Sequence, residues 1–104
     1  MSGLLPQIKI TRTHDPKPKP DIQSLGFGRY FSDHMYVARY SQEKGGWYSS
    51  EVVPYAPFSI DPSASVLHYG QAMFEGMKAF KQKDARIAVV RPEFNVQRLQ
   101  AGAE

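Results

Sequence analysis

The sequence comprises 104 residues, a length that fits one small domain or part of a larger one. It contains no cysteine, which excludes disulfide bonds and thiolate metal sites. The net charge is +3, but the basic residues are too scattered along the sequence to indicate nucleic-acid binding. No apolar run reaches the length of a membrane span or of a signal peptide, so we expect a cytoplasmic protein without membrane contacts. The three histidines share no helix face, and we predict no metal site.

The N-terminal segment consists of a strand-like stretch and a proline-rich stretch. From Pro6 to Thr13 the sequence PQIKITRT places Ile8 and Ile10 between polar neighbours, which predicts a first strand or an extended arm. The following HDPKPKPD carries a proline at every second position, and proline cannot donate a hydrogen bond to a sheet. We therefore predict an arm and an exposed connector over residues 1–20, and a domain over residues 21–104.

Residues 25–55 indicate an antiparallel hairpin. The stretch LGFGRYFSDHMYVARY opens with Gly26 and Gly28 and continues into residues that favour strands. A glycine turn explains its start better than a dinucleotide-binding loop does, because the third glycine of that motif is missing. The polar loop SQEKGG then leads to WYSSEVVPY, a second strand that we expect to pair with the first.

The next residues predict a short helix and a second hairpin. Asp61 is a candidate N-cap, and Pro62 suits the first position of a helix. From Phe74 to Arg91 the pattern is strand, polar turn and strand, with the turn at KQKDA. The second arm, Ile87 to Val90, is continuously apolar, which predicts burial on both faces.

The last segment predicts a terminal helix. Pro92 and Glu93 are both favourable in a first helical turn, and Phe94 and Leu99 form a possible inward side. The predicted fold class is therefore α+β, an antiparallel sheet with flanking helices and an incomplete core.

Two basic side chains and one aromatic stretch are candidates for chemistry. Arg98 offers a planar fork of donors to a phosphate monoester, although a solvated helix face is the simpler interpretation of its spacing. Lys78 could form a Schiff base with a carbonyl cofactor, but we favour a lysine that extends from a strand to solvent. The stretch LHYGQAMFEGMKAFK carries Tyr69 and Phe74, and it suits one wall of an apolar pocket as well as an ordinary core.

A resemblance to a known family bears on these alternatives. The segments FGRYFSDHM, GGWY, DPSASVLHYGQAMFEGMKAF and VVRPEFNVQRL, in this order, closely resemble the N-terminal part of branched-chain amino acid aminotransferases, which are fold-type IV enzymes. The resemblance runs from about Pro18 to the end, and within GGWY it does not extend to the doubling of Gly45 and Gly46. It implies transfer of the amino group of leucine, isoleucine or valine to 2-oxoglutarate, with pyridoxal 5′-phosphate as the cofactor.

The resemblance also implies roles for four residues. Carried over by position, Arg98 resembles the arginine that contacts the cofactor phosphate, and Tyr69 resembles the tyrosine at the substrate's carboxylate side. Phe27 and Phe74 resemble aromatic walls of the pocket that receives the branched side chain. Such a side chain offers only shape and apolar area for recognition.

By the same resemblance the chain is one part of such an enzyme. The family's Schiff-base lysine lies in a second, C-terminal domain that nothing in this sequence matches, so Lys78 is not that lysine. We expect an incomplete N-terminal small domain without a catalytic residue, inactive alone and homodimeric when full length. One alternative is a non-catalytic remnant that binds a ligand or a partner. A D-amino acid aminotransferase or an aminodeoxychorismate lyase is another, against which HYGQAMFEGMKAF argues.

Overall fold

The computed structural model describes residues 7–104, and the chain divides into two compact units between Phe58 and Ser59. Both units are small, and each contains one sheet. The predicted strand from Pro6 therefore begins just outside the described residues, and the boundary between residues 20 and 21 stays a prediction. The elements in chain order are β1 (Lys9–Ile10), β2 (His34–Ser41), β3 (Gly46–Pro54), α1 (Ser65–His68), β4 (Ala79–Lys81), β5 (Ile87–Val89) and α2 (Pro92–Gly102).

The first unit is built on the antiparallel hairpin of β2 and β3, as predicted. The register begins with His34 opposite Pro54, and a bulge between Arg39 and Tyr40 shifts it by one residue. A bulge of this kind increases the local twist of a strand pair. The two strands of the hairpin form from the residues with high β-propensity that lie on either side of SQEKGG.

The turn of this hairpin depends on two glycines. Gly45 and Gly46 adopt φ angles of 85° and 121°, which side chains with a Cβ rarely adopt. Beside the turn, the rings of Tyr40 and Trp47 pack edge to face with centroids 5.4 Å apart. The doubled glycine that the family resemblance left out therefore has a local structural reason.

The sheet of the first unit is mixed, which corrects the prediction of an antiparallel sheet. β1 pairs in parallel with β3, with Lys9 opposite Glu51 and Ile10 opposite Val52. The Thr11 N–H donates to the Val52 carbonyl at 2.9 Å. The strand order is β1-β3-β2, so the arm occupies the edge of β3 that β2 leaves open. Without β1, the backbone groups along this edge of β3 would be unpaired, and an extended segment such as the arm can pair with them.

The proline-rich connector has no regular secondary structure, as expected, but it is anchored. The Lys17 N–H donates to Asp33 Oδ1 at 3.0 Å, and Lys19 Nζ donates to Asp33 Oδ2 at 3.0 Å. Lys17 Nζ also donates to the carbonyls of Phe31 and Ser32, each at 3.2 Å. These hydrogen bonds, first that from the Lys17 backbone and then that from Lys19, lower the pKa of Asp33. Alternating lysines thus tie the connector to the approach of β2.

In the second unit, the first helix starts later than predicted. α1 begins at Ser65, with Ala64 rather than Asp61 at its N-cap position. The reason is that Asp61 Oδ1 accepts from the Ser63 N–H at 2.8 Å and from Ser63 Oγ at 2.6 Å. Aspartate and serine commonly close such local turns in competition with a helix.

The second hairpin is present, but its burial was predicted wrongly. β4 and β5 pair antiparallel from Ala79 opposite Val89 to Lys81 opposite Ile87. Ile87 is 64% exposed and Val90 is 71% exposed. Continuous apolar runs are buried only where layers cover both faces of a sheet. Within the described residues this two-stranded ribbon has no such layers.

The predicted start of the terminal helix is confirmed, and its predicted inward side is confirmed only in part. Pro92 is its first residue and Glu93 lies in its first turn. Leu99 is half-buried, whereas Phe94 is 59% exposed, so the predicted inward position of Phe94 is wrong. The guanidinium of Arg91, which precedes the helix, instead lies 5.8 Å from the centre of the Phe94 ring.

Across residues 7–104 no side chain is fully buried, and large apolar side chains are exposed in both units. The same residues contain no helix that could cross a membrane and no group of three side chains suited to bind a metal ion.

Candidate functional site

An acid–base cluster joins α2 to the segment that precedes β4. Arg98 Nε donates to Glu75 Oε2 at 2.7 Å, and Arg98 Nη2 donates to Glu75 Oε1. Two parallel hydrogen bonds of this kind fix the plane of the guanidinium as well as its position. Arg98 was a candidate from the sequence, whereas Glu75 was not.

Asn95 and Gly76 complete the cluster around the Glu75 carboxylate. Asn95 Nδ2 donates to Glu75 Oε1 at 3.1 Å and to the Gly76 carbonyl at 2.7 Å, and the Gly76 N–H donates to Glu75 Oε1 at 3.1 Å. Asn95 and Arg98 are three residues apart on α2, and this spacing places both on one face of the helix. The segments FEG and NVQR therefore act as one unit, although they are far apart in the sequence.

The cluster keeps both of its charges at physiological pH. Hydrogen bonds from Arg98 are the main cause that lowers the pKa of Glu75 to about 2, while partial desolvation opposes this shift. The same hydrogen bonds raise the pKa of Arg98. The Glu75 side chain is only 10% exposed, whereas that of Arg98 is 70% exposed. The carboxylate is therefore the inner partner and the guanidinium the outer one.

The outer side of the guanidinium is available to a ligand. A guanidinium has five N–H groups, and two of those on Arg98 point at Glu75. The other three belong to the two terminal nitrogens and find no acceptor within residues 7–104. Two terminal N–H groups on one edge match the oxygen spacing of a phosphate or a carboxylate. An anion of this type can thus bind without breaking the Glu75 pair.

Arg98 and Phe74 line the same open cavity. Its volume is about 360 Å³, and it combines the charged pair with apolar side chains. A second open cavity of about 600 Å³ borders Lys78 and Asn95. Cavities of this size suit a small-molecule ligand. The lining of the first cavity consists of Met73, Phe74, Glu75, Gly76, Arg98, Leu99 and Gly102.

Of the other two candidate residues, Tyr69 belongs to the second unit but does not line this cavity, and Phe27 belongs to the first unit. Tyr69 follows α1 directly, is 88% exposed, and precedes Gly70 with its φ of 60°. Phe27 is fully exposed between Gly26 and Gly28, whose φ angles of 64° and 68° confirm the predicted glycine turn. The roles of all four candidate residues in binding stay predictions.

Comparisons with known proteins extend the resemblance noted in the sequence. The chain is 51% identical over 97 residues to branched-chain-amino-acid transaminase 1 of Bacillus subtilis (strain 168), covering 93% of this chain and 27% of that protein. Branched-chain-amino-acid aminotransferase 2 of the same organism is 49% identical over 92 residues, covering 88% and 25%. The chain is a relative of the branched-chain aminotransferases. A cytosolic branched-chain-amino-acid aminotransferase of Saccharomyces cerevisiae is 46% identical over 99 residues, covering 94% and 26%.

These matches confirm the branched-chain aminotransferase resemblance and widen it. Residues 18–104 number 87, so alignments of 92 and 97 residues include at least five and ten of the seventeen residues before Pro18. The resemblance therefore reaches into the arm, beyond the start at Pro18 that the motifs indicated. The chain spans about a quarter of the length of these branched-chain aminotransferases. No family model matches it.

Proposed function

We propose that the chain is the part of a branched-chain amino acid transaminase that supplies one cofactor contact and one wall of the substrate pocket. The observation that carries this proposal is the shared cavity of Arg98 and Phe74, which is lined both by a guanidinium whose outer edge is unpaired within the described residues and by an exposed aromatic side chain. The identity of 46–51% to the relatives supports the choice of reaction. In this proposal the chain is the small N-terminal domain of the fold-type IV architecture.

The residues of the cavity fit the phosphate end of pyridoxal 5′-phosphate. Arg98 would bind the phosphate with its outer edge, because three N–H groups remain after its pairing with Glu75. When bound, the cofactor supplies the electron sink for amino-group transfer. The contribution of this chain is to neutralise the phosphate and to set its position.

Substrate recognition falls to the aromatic side chains. Phe74, 95% exposed, would contact the branched side chain of leucine, isoleucine or valine, and Phe27 would add a second apolar wall. The Tyr69 hydroxyl would donate to the substrate carboxylate. The same site would then accept 2-oxoglutarate, the second substrate of a transaminase.

Activity, in this proposal, requires more polypeptide than this chain. The chain spans about a quarter of its relatives, and none of its described side chains is fully buried. We place the catalytic lysine outside these residues and propose a homodimeric, cytoplasmic enzyme as the complete form. The exposed apolar faces of both units are then surfaces for further parts of that enzyme.

Amino-group transfer can be tested directly. The chain alone, supplied with leucine, 2-oxoglutarate and pyridoxal phosphate, should form no glutamate, whereas the complete protein that contains it should do so. Isoleucine and valine should replace leucine, and aspartate serves as the control amino donor. A complete protein that uses none of the three branched amino acids would disprove the proposal. Ligand binding without turnover in the complete protein would instead favour the non-catalytic alternative.

A further inference from the structure

The Glu75 carboxylate is the most connected side chain of the second unit. Its Oε1 atom accepts from Arg98, Asn95 and the Gly76 N–H, and its Oε2 atom accepts from Arg98 Nε. The side chain is 10% exposed and lines the same cavity as Arg98. A carboxylate held from three sides has one orientation and can therefore impose one on its partner.

We propose that Glu75 is a positioning residue that holds Arg98 by the inner edge of its guanidinium and directs the outer edge toward a phosphate monoester. This role rests on the proposed function of Arg98 as the phosphate contact. Glu75 itself would not touch the phosphate. Asn95 would be the second anchor, because it fixes both the Glu75 carboxylate and the Gly76 carbonyl.

The energetic basis is the conformational freedom of an arginine that is mostly in solvent. Arg98 is 70% exposed, so without Glu75 its long side chain would sample many rotamers. Binding would then have to immobilise it, and immobilising one such side chain weakens association by about two- to tenfold. Glu75 has already ordered the guanidinium before the ligand arrives.

An opposing effect sets the sign of the test. The Glu75 carboxylate repels the negative charge of a phosphate, so a purely electrostatic role would make binding tighter when the carboxylate is removed. Salt screens this repulsion beyond about 8 Å at physiological ionic strength. The hydrogen bonds that order Arg98 are screened less, because their acceptor Glu75 is only 10% exposed. Weaker binding without Glu75 thus identifies positioning, and tighter binding identifies repulsion.

The experiment is an NMR titration of the 104-residue chain, with labelled arginine, at physiological salt. The ligand is pyridoxine 5′-phosphate, whose alcohol replaces the aldehyde and so cannot form an imine with any lysine. Pyridoxine, which lacks the phosphate, is the reference ligand. The variants are Glu75→Gln, which removes the charge, Glu75→Asp, which withdraws it by one methylene, and Arg98→Lys. Glu93→Gln removes a charge from the first turn of the same helix and is the matched control.

We expect wild type and Glu93→Gln to bind the phosphate ester more tightly than pyridoxine. Glu75→Gln and Glu75→Asp should weaken binding of the ester by about two- to tenfold and leave pyridoxine unchanged. Arg98→Lys should reduce the preference, because an ammonium keeps the charge but has no planar fork. Exchange of the Arg98 Nε–H with water, measured without ligand, should be slow in wild type and faster in Glu75→Gln.

The other outcomes separate the two proposals. If Arg98→Lys reduces the preference while both Glu75 variants bind as tightly as wild type or more tightly, Arg98 remains the phosphate contact and the positioning role is wrong. If wild type shows no preference for the phosphate ester, the proposed role of Arg98 fails first. The backbone spectrum of each variant reports whether α2 stays folded. If both Glu75 variants unfold α2, Glu75 supports the helix and the positioning role is wrong.

Discussion

The two units are stabilised by different kinds of interaction. In the first, backbone hydrogen bonds join β2 and β3 from one end of the hairpin to the other, and β1 extends the same sheet. In the second, β4 and β5 are three residues each, and the hydrogen bonds that attach α2 to the segment before β4 come from Asn95 and Arg98. Backbone pairing is spread over many residues, whereas the second arrangement depends on Glu75. The candidate phosphate contact therefore lies in the unit in which most of these side-chain hydrogen bonds converge on one carboxylate.

Removing one carboxylate from each unit should produce the largest difference between the units, in the extent to which each loses its tertiary structure. We expect Glu75→Ala to release α2 from residues 73–76, because it removes the acceptor of Arg98 and one acceptor of Asn95. Asp33→Ala should free only the connector around Lys17 and leave the β2–β3 pairing intact. Amide hydrogen exchange, read separately for each unit, is the measurement.

The contrast would be wrong if Asp33→Ala also exposed the amides of β2 and β3. It would be equally wrong if Glu75→Ala left the exchange of α2 unchanged. In that case the helix would be attached by apolar contacts, with Leu99 the first side chain to examine.

Acid should weaken the attachment of α2 without a mutation, although a protonated Glu75 keeps an acceptor oxygen that Glu75→Ala removes. The pKa of Glu75 is lowered from the usual 4.5 to about 2, so the unfolded form binds the proton more readily than the folded form does. Its contribution to stability is therefore complete above about pH 4.5 and is lost as the pH falls through about 2. The carbon-13 shift of the Glu75 carboxyl between pH 7 and 2 measures this. Glu75→Gln should abolish the acid transition of α2, and an ordinary titration near 4.5 would contradict the pairing with Arg98.

A glycine-to-alanine substitution should lower the free energy of unfolding in the first unit and raise it in the second. Gly46 has a φ of 121°, so Gly46→Ala should destabilise the hairpin of the first unit by about 1–3 kcal/mol. Gly102 lies in α2, and a Cβ there meets no atom within 4 Å. Gly102→Ala should stabilise the helix by up to about 1 kcal/mol. Unfolding by denaturant, followed by probes in each unit, compares them. A stabilising Gly46→Ala would refute the assignment of the turn, and a destabilising Gly102→Ala would refute the prediction for the helix.

The smallest expected effect is the coupling between two rings. Tyr40 and Trp47 pack edge to face at 5.4 Å beside the hairpin turn, and such pairs contribute about 0.5 to 1.5 kcal/mol beyond their buried area. A double-mutant cycle of Tyr40→Ala and Trp47→Ala should return this coupling. A cycle of Tyr36→Ala with Trp47→Ala is the control, since these residues lie at different positions of the register. Equal coupling in both cycles would show that the edge-to-face packing contributes nothing.

Local signals in the sequence predicted which strands and helices form better than they predicted how deeply those elements are buried. The hairpin of β2 and β3 followed from β-forming residues on both sides of two glycines, and α2 followed from Pro92 and Glu93. Burial of Ile87 to Val90 was predicted wrongly, because an apolar run states what a strand can bury and not whether a layer is present to cover it. The start of α1 was missed because Asp61 closes a turn with Ser63.

The candidate site was predictable only in part. Arg98 was a candidate from the chemistry of its side chain, but only the family resemblance favoured it over a solvated helix face. Glu75 is 23 residues away in the sequence and shares no periodicity with it. The one signal available was the pair of polar residues Asn95 and Arg98 at helical spacing, which indicates a common partner without identifying it. Long-range pairing of this kind is set by tertiary structure, and a single sequence carries little record of it.

The strand order of the first unit also has a practical consequence. β2 lies at the edge of the order β1-β3-β2, and its eight residues contain one permanently charged side chain, Arg39. An edge with so little charge is a template on which a second molecule can add a strand. Purified chain should therefore self-associate as its concentration rises. A lysine in place of Val37 is a suitable first change to keep preparations monodisperse.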